Sequence, residues 1–422
     1  MTRRVPLLCA AAFVLAAMFA VPGTWAQTPK PAAKDEVAGM SRERLARIAP
    51  VMAAQVEKGV FPGAVTLVAR AGTVVHFQAH GFLDGTRTTA MPKDALFRLA
   101  SMTKPIVTVG AMLLVERGVI KLNDPIALYL PELKDLKVET PGGDVAATRP
   151  VLVHDLMRHT AGFVYAGSTK SERIKKAYEE ANIESREIDI TADEMLKRLG
   201  QIPIAHQPGT FWEYGIAVDV LGLLVERAAK QPLDTFLREH LLDPLGMKDT
   251  GWWVPKDRTA RLAESLDTDP LKASMLKSYR IFENPAGRSY FKGGAGLVGT
   301  TEDYLRFAQM ILDGGHYRGK RFLSRKTVEF MLSEHTVGMG GTTIASTGPG
   351  YGFGLGFAVR LQDGMAWVPG SKGDAMWAGA WGTSFWIDPK ERLVGILMSQ
   401  APSQRVQTRM LYKDLVYAAM VR

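Results

Sequence analysis

The sequence has 422 residues, of which 46% are hydrophobic and 23% charged, and it carries a formal net charge of +9 at pH 7. This length exceeds what one simple hydrophobic core normally serves, so we expect two lobes. Basic and acidic residues are interspersed along the whole chain, which argues against a nucleic-acid partner, since such proteins concentrate positive charge in a patch or stripe.

Residues 1–26 have the features of a secretory signal peptide. Arg3 and Arg4 precede an uncharged apolar run over residues 7–21, and a cleavage site is expected just before Gln27. A membrane-spanning helix is the alternative, but the run is short for the roughly 20 residues that cross a bilayer. We therefore predict a periplasmic or secreted protein without stable membrane insertion, exported by the general or the twin-arginine route.

Composition and periodicity predict the first elements after this segment. Residues 27–40 are rich in proline, alanine and charge, which indicates a flexible linker. Ser41 is the expected N-cap of an amphipathic helix, because apolar residues follow it at spacings of three and four. Two runs rich in β-branched residues, 64–70 and 74–80, flank a glycine-containing turn and predict a β-hairpin.

The next part of the chain is mainly helical in pattern. Residues 97–100 predict a short strand, and residues 106–115 predict an apolar helix that ends at Gly118. Proline-punctuated helical patterns then extend from about residue 120 to 290. Within them, the densely charged residues 170–199 predict a solvated helical face.

The C-terminal part returns to strand patterns. Patterns typical of helices and strands follow one another over residues 301–312, 351–357, 376–383, 393–398 and 410–421. This order indicates an α/β (α+β) fold with a discontinuous domain formed by residues 41–115 and 290–422. Residues 116–289 would then be an inserted, mainly helical domain.

Several kinds of chemistry are disfavoured by the motifs that are missing. The eight histidines contain no His-Glu-x-x-His pair, and the single cysteine, Cys9, lies in the signal segment. The sequence has no Gly-x-Ser-x-Gly element, which disfavours an α/β-hydrolase. Glycines over residues 348–356 alternate at period two and do not form a nucleotide-binding loop. We therefore predict neither a metal nor a cofactor.

A serine with a lysine three residues later is the remaining nucleophile pattern. On a helix the two side chains share one face, so the amine can take the hydroxyl proton. The pattern occurs at Ser101/Lys104, Ser274/Lys277 and Ser289/Lys292. Only Ser101 follows a strand and opens a long apolar helix, where its own N–H can point at an oxyanion and Pro105 is tolerated. We interpret the other two pairs as coincidences.

Tyr214 is the candidate for a third proton carrier. It follows a proline-glycine turn and precedes an apolar helical pattern over residues 216–225. Beside a cationic lysine, we expect its hydroxyl to titrate below the usual value of about 10. The alternative is an ordinary buried tyrosine with a satisfied hydroxyl.

These residues belong to an ordered set of short motifs that resembles a known superfamily. The motifs are FRLASMTKP at 97–105, LMRHTAG at 156–162, PGTFWEY at 208–214, PLGMKDTG at 244–251, GGAGLVGT at 293–300 and GTSFWIDP at 382–389. In this order they resemble the serine β-lactamase and penicillin-binding-protein superfamily. The likeness spans about residues 41–400 and is greatest to class C β-lactamases and to family VIII carboxylesterases.

The resemblance implies a fold and a set of roles. The fold would be an antiparallel sheet flanked by helices, with the active site between it and an inserted helical domain. Ser101 would be the acylated nucleophile, Lys104 its proton partner and Tyr214 the general base. The backbone N–H groups of Ser101 and Ala380 would form the oxyanion hole.

Two positions depart from the class C pattern. Ile216 stands where those enzymes have an asparagine, and Trp377-Ala378-Gly379 stands where they have Lys-Thr-Gly. In those enzymes the lysine helps to bind the carboxylate of the β-lactam drug, and this site lacks that cation. An indole at the same place favours an uncharged, apolar ester. We expect these three residues to bind substrate, and Trp381 to be a packing residue.

Three hypotheses follow for function. The first is an exported serine carboxylesterase of the family VIII type that acts on small-molecule esters. Under this hypothesis, any β-lactamase side activity is weak. The second is a class C-like β-lactamase or a D-amino-acid peptidase. The third, from another class, is a catalytically silent penicillin-binding-like module.

Overall fold

The computed structural model describes Met1 and residues 35–184, 190–278, 281 and 290–422. Apart from Met1, the predicted signal peptide lies outside the described residues, as does Ser289. The end of the predicted linker differs from expectation, because Glu36–Val37 pairs with Met40–Ser41 in a small hairpin and Met40 is fully buried. In the described part of the chain, no helix has both the length and the apolar character needed to cross a membrane.

Helices occur throughout the described chain, with short 3-10 turns between them. They are α1 (Arg42–Ala46), α2 (Ile48–Glu57), α3 (Thr103–Glu116), α4 (Val153–Met157), α5 (Glu172–Glu180), α6 (Ala192–Leu199), α7 (Ala217–Ala229), α8 (Leu233–Leu237), α9 (Asp243–Leu245), α10 (Lys272–Ser278), α11 (Thr301–Leu312), α12 (Arg325–Met331), α13 (Ile344–Thr347) and α14 (Arg405–Ala418).

The strands are short except at the centre of the main sheet. They are β1 (Glu36–Val37), β2 (Met40–Ser41), β3 (Gly63–Arg70), β4 (Thr73–Gly81), β5 (Phe97–Arg98), β6 (Lys137–Val138), β7 (Val145–Ala146), β8 (Phe211–Trp212), β9 (Val298–Gly299), β10 (His316–Tyr317), β11 (Lys320–Arg321), β12 (Gly340–Gly341), β13 (Tyr351–Phe353), β14 (Ala358–Arg360), β15 (Ala375–Ala378), β16 (Ser384–Asp388) and β17 (Leu393–Ser399).

A seven-stranded antiparallel sheet joins the two ends of the chain. Its strand order is β13-β14-β15-β16-β17-β3-β4, so strand β3 of the β3–β4 hairpin pairs with β17 from the C-terminal part of the chain. Every residue of β3 and β17 is buried, whereas β4 has exposed positions, as expected for an edge strand. The predicted hairpin over residues 64–80 is therefore confirmed.

Helices cover both faces of this sheet. Neighbouring residues of a strand point to opposite faces. Phe385 packs against Tyr304 of α11 with a ring-centroid separation of 4.8 Å, while the next residue, Trp386, packs against Tyr412 of α14 at 5.6 Å. Helices α11 and α14 therefore lie on opposite sides of β16.

Helix α3 is the element that connects the sheet to the helical part of the chain. It is buried from Thr103 to Leu114 and packs against α7. Gly110 permits a close approach to α8, since a Cβ there would lie 2.4 Å from a methyl carbon of Leu237. The turn that precedes α3, Ala100–Met102, contacts β15.

Two local predictions are corrected. Residues 376–383 do not continue as one strand, because β15 ends at Ala378 and the chain turns back into β16. The Gly379 N–H donates to the Thr383 carbonyl over 2.8 Å, and the Gly382 N–H donates to the Gly379 carbonyl over 3.0 Å. The charged segment 170–199 is also more than a solvated face, because α5 and α6 bury an apolar side.

Candidate active site

Ser101 lies in a tight 3-10 turn between β5 and α3. The preceding residue, Ala100, has a φ of 46°, a left-handed conformation that costs a non-glycine residue energy. The Leu99 N–H donates to the Leu297 carbonyl over 2.9 Å and fixes the turn from the other side. Ser101 is only 8% exposed, and its hydroxyl borders a cavity. The local chain path thus presents Ser101 to the cavity.

Lys104 is buried in the first turn of α3. Its Nζ donates to Ser101 Oγ over 3.3 Å, to the Tyr165 hydroxyl over 3.0 Å and to the Gly294 carbonyl over 2.7 Å. Burial lowers the pKa of Lys104 to about 8, although the negative charge of Asp219 opposes that shift. A lysine with this pKa can take a proton near neutral pH, unlike an exposed lysine.

Tyr214 donates its hydroxyl proton to Ser101 Oγ over 2.8 Å. Its ring lies 4.8 Å from Lys104 Nζ and is enclosed by other aromatic rings. Desolvation raises the pKa of Tyr214 above its ordinary value, and the hydrogen bond with Ser101 only partly opposes it. The expectation of a lowered pKa is therefore wrong, because the cost of burying a phenolate exceeds what hydrogen bonding recovers, and the negative charge of Asp219 raises the pKa further. In the resting site, Tyr214 is a neutral donor.

Strand β15 contacts the Ser101 turn, but of the predicted substrate-binding residues Trp377, Ala378 and Gly379 none lines the cavity, whereas the next residue, Ala380, does. Trp377 is 3% exposed and its ring lies 5.2 Å from that of Tyr214. Gly379 allows close contact with the Ser101 turn, since a Cβ there would lie 2.3 Å from the Leu99 carbonyl oxygen. Ala380 follows directly and lines the same cavity as Ser101. Trp381 is fully buried beneath the Arg98 guanidinium at 4.9 Å, as expected for a packing residue.

The cavity beside Ser101 is large and mostly apolar. It has a volume of about 490 Å³. Ile216 lies in its wall and is 4% exposed. The other large apolar side chains that line it are Ile183, Met195, Met275, Ile281, Tyr290 and Leu297. The charged side chains at its border are Arg98, Glu184, Asp219 and Lys292. Such a lining suits an apolar substrate with few charged groups.

The structure adds functional candidates that the sequence prediction missed. Tyr165 accepts a hydrogen bond from Lys104, and its ring lies 5.4 Å from that of Tyr214. His159 packs at 4.7 Å against Tyr214, and its Nδ1 accepts the Gly215 N–H at 3.5 Å. Tyr165 carried no local signal beyond following the 156–162 motif. His159 lies within that motif, but the motif alone gives no signal that separates a site residue from an ordinary buried histidine.

The competing serine-lysine pair has a different environment. Ser274 and Lys277 are exposed on α10, and the Ser274 hydroxyl donates to the Leu271 carbonyl over 2.9 Å. Ser101, Lys104 and Tyr214 are instead brought together at one cavity. Among the residues that the structure describes, no group of three histidine, cysteine or acidic side chains is arranged to hold a metal ion.

Comparison with known proteins gives consistent similarities. A family model described as "Beta-lactamase" matches residues 48–418. The chain is 32% identical over 380 residues to "Esterase EstB" of Burkholderia gladioli, covering 84% of this chain and 91% of EstB. It is 29% identical to "Lovastatin esterase" of Penicillium rubens, covering 82% and 91% of the two chains. The structure of "EstCE1, a hydrolase with promiscuous acyltransferase activity" superposes with a TM-score of 0.75 at 27% identity, covering 89% of this chain and 99% of that one.

Proposed function

Because the chain belongs to the β-lactamase family, we propose that it is an exported serine carboxylesterase that hydrolyses small, uncharged esters through an acyl-enzyme on Ser101. The observation that carries this proposal is the contact of Ser101 Oγ with both Lys104 and Tyr214 at the mouth of an apolar cavity. The esterase names of two relatives support the same reaction class.

The first half-reaction forms the acyl-enzyme. Neutral Lys104 takes the hydroxyl proton as Ser101 Oγ bonds to the ester carbonyl carbon. The backbone N–H groups of Ser101 and Ala380 stabilise the oxyanion. When the bond to the alcohol oxygen breaks, Tyr214 donates its proton to the leaving alkoxide and regains one from Lys104.

The second half-reaction releases the acid. Water enters the place of the alcohol, and its proton passes to the Tyr214 and Lys104 pair as its oxygen bonds to the acyl carbon. The bond to Ser101 Oγ then breaks, and the proton returns to the serine. Water, ester, alcohol and acid balance without another reactant, and the site needs no cofactor.

The two departures from the class C pattern favour an ester over a β-lactam. Ile216 offers no amide to a drug side chain, and Trp377 offers no ammonium to a drug carboxylate. An anionic group buried against these two side chains would have no partner there, which is costly. The cations that border the cavity, Arg98 and Lys292, are at other positions. A β-lactamase or D-amino-acid peptidase remains the second candidate, since Ser101, Lys104 and Tyr214 would serve either reaction. A silent binding module is disfavoured because it does not need all three.

The test compares rates on p-nitrophenyl butyrate, nitrocefin and a D-alanyl peptide for wild type and Ser101→Ala. We expect ester turnover to exceed the other two and to fall by about 10³-fold or more in the variant. Ser274→Ala is the matched control, because it removes the serine of an exposed Ser-x-x-Lys pair. Ester turnover that survives Ser101→Ala would sink the mechanism, and dominant nitrocefin turnover would favour the lactamase. For export, the protein from the periplasm or medium should begin near Gln27.

A further inference from the structure

Asp219 is buried in the first turn of α7 at the back of the active-site cavity. From its contacts we infer that Asp219 is a positioning residue which, through Gly294, holds Lys104 against Ser101 and balances its charge. This inference rests on the proposed acyl-enzyme chemistry and concerns how the proton carrier is prepared. Asp219 acts through Gly294 and takes no part in bond making or bond breaking.

Two hydrogen bonds on one glycine connect the carboxylate to the lysine. Asp219 Oδ1 accepts a hydrogen bond from the Gly294 N–H over 3.0 Å, and the Gly294 carbonyl accepts one from Lys104 Nζ over 2.7 Å. Both bonds are buried. The carboxylate thus fixes the glycine, and the glycine fixes the ammonium group.

The backbone around Gly294 is packed too closely to accept a side chain. A Cβ on Gly294 would lie 2.2 Å from Asp219 Oδ2, and one on Gly293 would lie 2.4 Å from the Val218 carbonyl oxygen. A Cβ on Gly222 would likewise lie 3.1 Å from the Cα of Gly293. The segment therefore rests directly on α7, which sets the position of the carbonyl that Lys104 contacts.

The charge of Asp219 acts on Lys104 across this contact. Asp219 favours the charged form of Lys104 and opposes the larger effect of burial. The other titratable groups that face this region from neighbouring elements are Arg98, His159, Tyr165, Glu184, Tyr214, Tyr290 and Lys292. Of these, Glu184 borders the cavity and is itself influenced by Asp219 and Lys292. Removing the Asp219 charge therefore removes a nearby anion without removing every anion.

The test measures how fast a fluorophosphonate labels Ser101 as a function of pH. In this reaction the serine oxygen bonds to phosphorus, fluoride leaves and the hydroxyl proton passes to Lys104. Asp219→Asn keeps an oxygen that can accept the Gly294 N–H but removes the charge. We expect the acidic limb of the labelling profile to move to lower pH by ~1 unit, because Lys104 then loses its proton more readily. The plateau rate should change by less than about 10-fold.

Asp234→Asn is the matched control. Asp234 is also an aspartate, also 9% exposed and also in the first turn of a helix, α8, but it does not line the cavity. The acidic limb of the labelling profile of Asp234→Asn should coincide with that of wild type. If Asp219→Asn does not fold, Gly294→Ala provides the second variant, since its new methyl group displaces the carboxylate and should move the limb in the same direction.

The outcomes separate this inference from the proposed function. A limb at the same pH in wild type and Asp219→Asn overturns the inference, whatever the ester assays show. Labelling of wild type without ester turnover would refute the esterase proposal, while the limb would still report on Asp219. A wild-type protein that neither labels nor hydrolyses esters would overturn both.

Discussion

The hydroxyl of Tyr214 and Ser101 Oγ are 2.8 Å apart, although 113 positions separate the two residues in the chain. The contact joins the turn before α7 to the turn before α3. Since α3 and α7 pack along each other, the two helices fix this distance as a rigid unit. Catalytic geometry therefore depends on the packing of two buried helices, and variants at either contact residue should separate chemistry from folding.

Tyr214→Phe should reduce ester turnover without unfolding the protein. The phenyl ring keeps its contacts with the surrounding aromatic rings, but the proton carrier for the leaving alcohol is lost. Loss of a general acid or base typically costs 10²–10⁴-fold, so we expect a decrease of about that size in kcat with little change in KM. Steady-state kinetics on p-nitrophenyl butyrate and circular dichroism measure the two effects.

Tyr412→Phe is the control for that variant. Tyr412 is fully buried, and its hydroxyl donates to the carbonyl of Leu67 in β3 over 2.9 Å. This contact does not involve the active site. Its loss should lower the free energy of unfolding by about 1 kcal/mol while leaving kcat unchanged. Equal kcat losses in the two variants would mean that Tyr214 contributes only to packing.

The part of the fold that sequence predicts well is local. The hairpin 64–80 and helix 301–312 have complete periodic patterns, and both are present, as β3–β4 and α11. The resemblance to serine β-lactamases is confirmed by the family match, as is the antiparallel sheet flanked by helices. The boundaries proposed for the two domains stay predictions.

What the sequence did not predict depends on distant packing. Tyr165 reaches Lys104 across 61 positions, and no periodic pattern reports such a contact. Asp219 had one available signal, since it is the only charged residue in the apolar run 216–225, which often indicates a buried partner. The pKa direction of Tyr214 was wrong because a nearby cation can be inferred from motifs, whereas the extent of desolvation requires the assembled aromatic surroundings.

Replacement of Trp377 should change substrate preference. Trp377→Lys places an ammonium group where class C β-lactamases have theirs and removes the indole that packs against Tyr214. We expect the ratio of nitrocefin to p-nitrophenyl butyrate kcat/KM to rise by about 10-fold, the value of one charge-assisted contact. Trp377→Phe keeps an apolar wall and should leave the ratio within about 3-fold of wild type. An equal ratio in both variants would show that Trp377 does not determine specificity.

Acid should destabilise the protein through a buried histidine pair on the β4 edge of the sheet. Thr66 Oγ1 lies 2.7 Å from His76 Nε2 and 2.8 Å from His80 Nε2. Burial lowers the pKa of each histidine to about 4 from an ordinary value near 6.5. The unfolded chain therefore binds these protons first, so stability is full above pH 6.5 and falls as the pH decreases toward 4. The loss should be on the order of 3 kcal/mol for His76.

Urea unfolding at intervals between pH 7.5 and pH 4.5 measures this effect. Replacing both histidines by glutamine should flatten the dependence over that range, because glutamine does not titrate. His316→Gln, on the separate β10–β11 hairpin, should leave the wild-type slope unchanged. A double variant with the wild-type slope would assign acid sensitivity to other groups.

Asp374 should be essential for stability although it lies outside the catalytic cavity. It is fully buried and accepts from Arg360 Nε over 2.8 Å, from Lys413 Nζ over 3.0 Å and from the Tyr351 hydroxyl over 2.9 Å. These contacts tie β13 and β14 to α14. Asp374→Ala would leave two buried cations without this carboxylate, which typically costs about 3–5 kcal/mol. We expect a matching decrease in the urea midpoint at pH 7.5, with kcat of the remaining folded protein unchanged.

Glu43→Gln removes an exposed partner of Arg47 and should not move the midpoint measurably, because solvent screens that pair. A midpoint as high in Asp374→Ala as in Glu43→Gln would show that the buried network contributes nothing to holding α14 on the sheet.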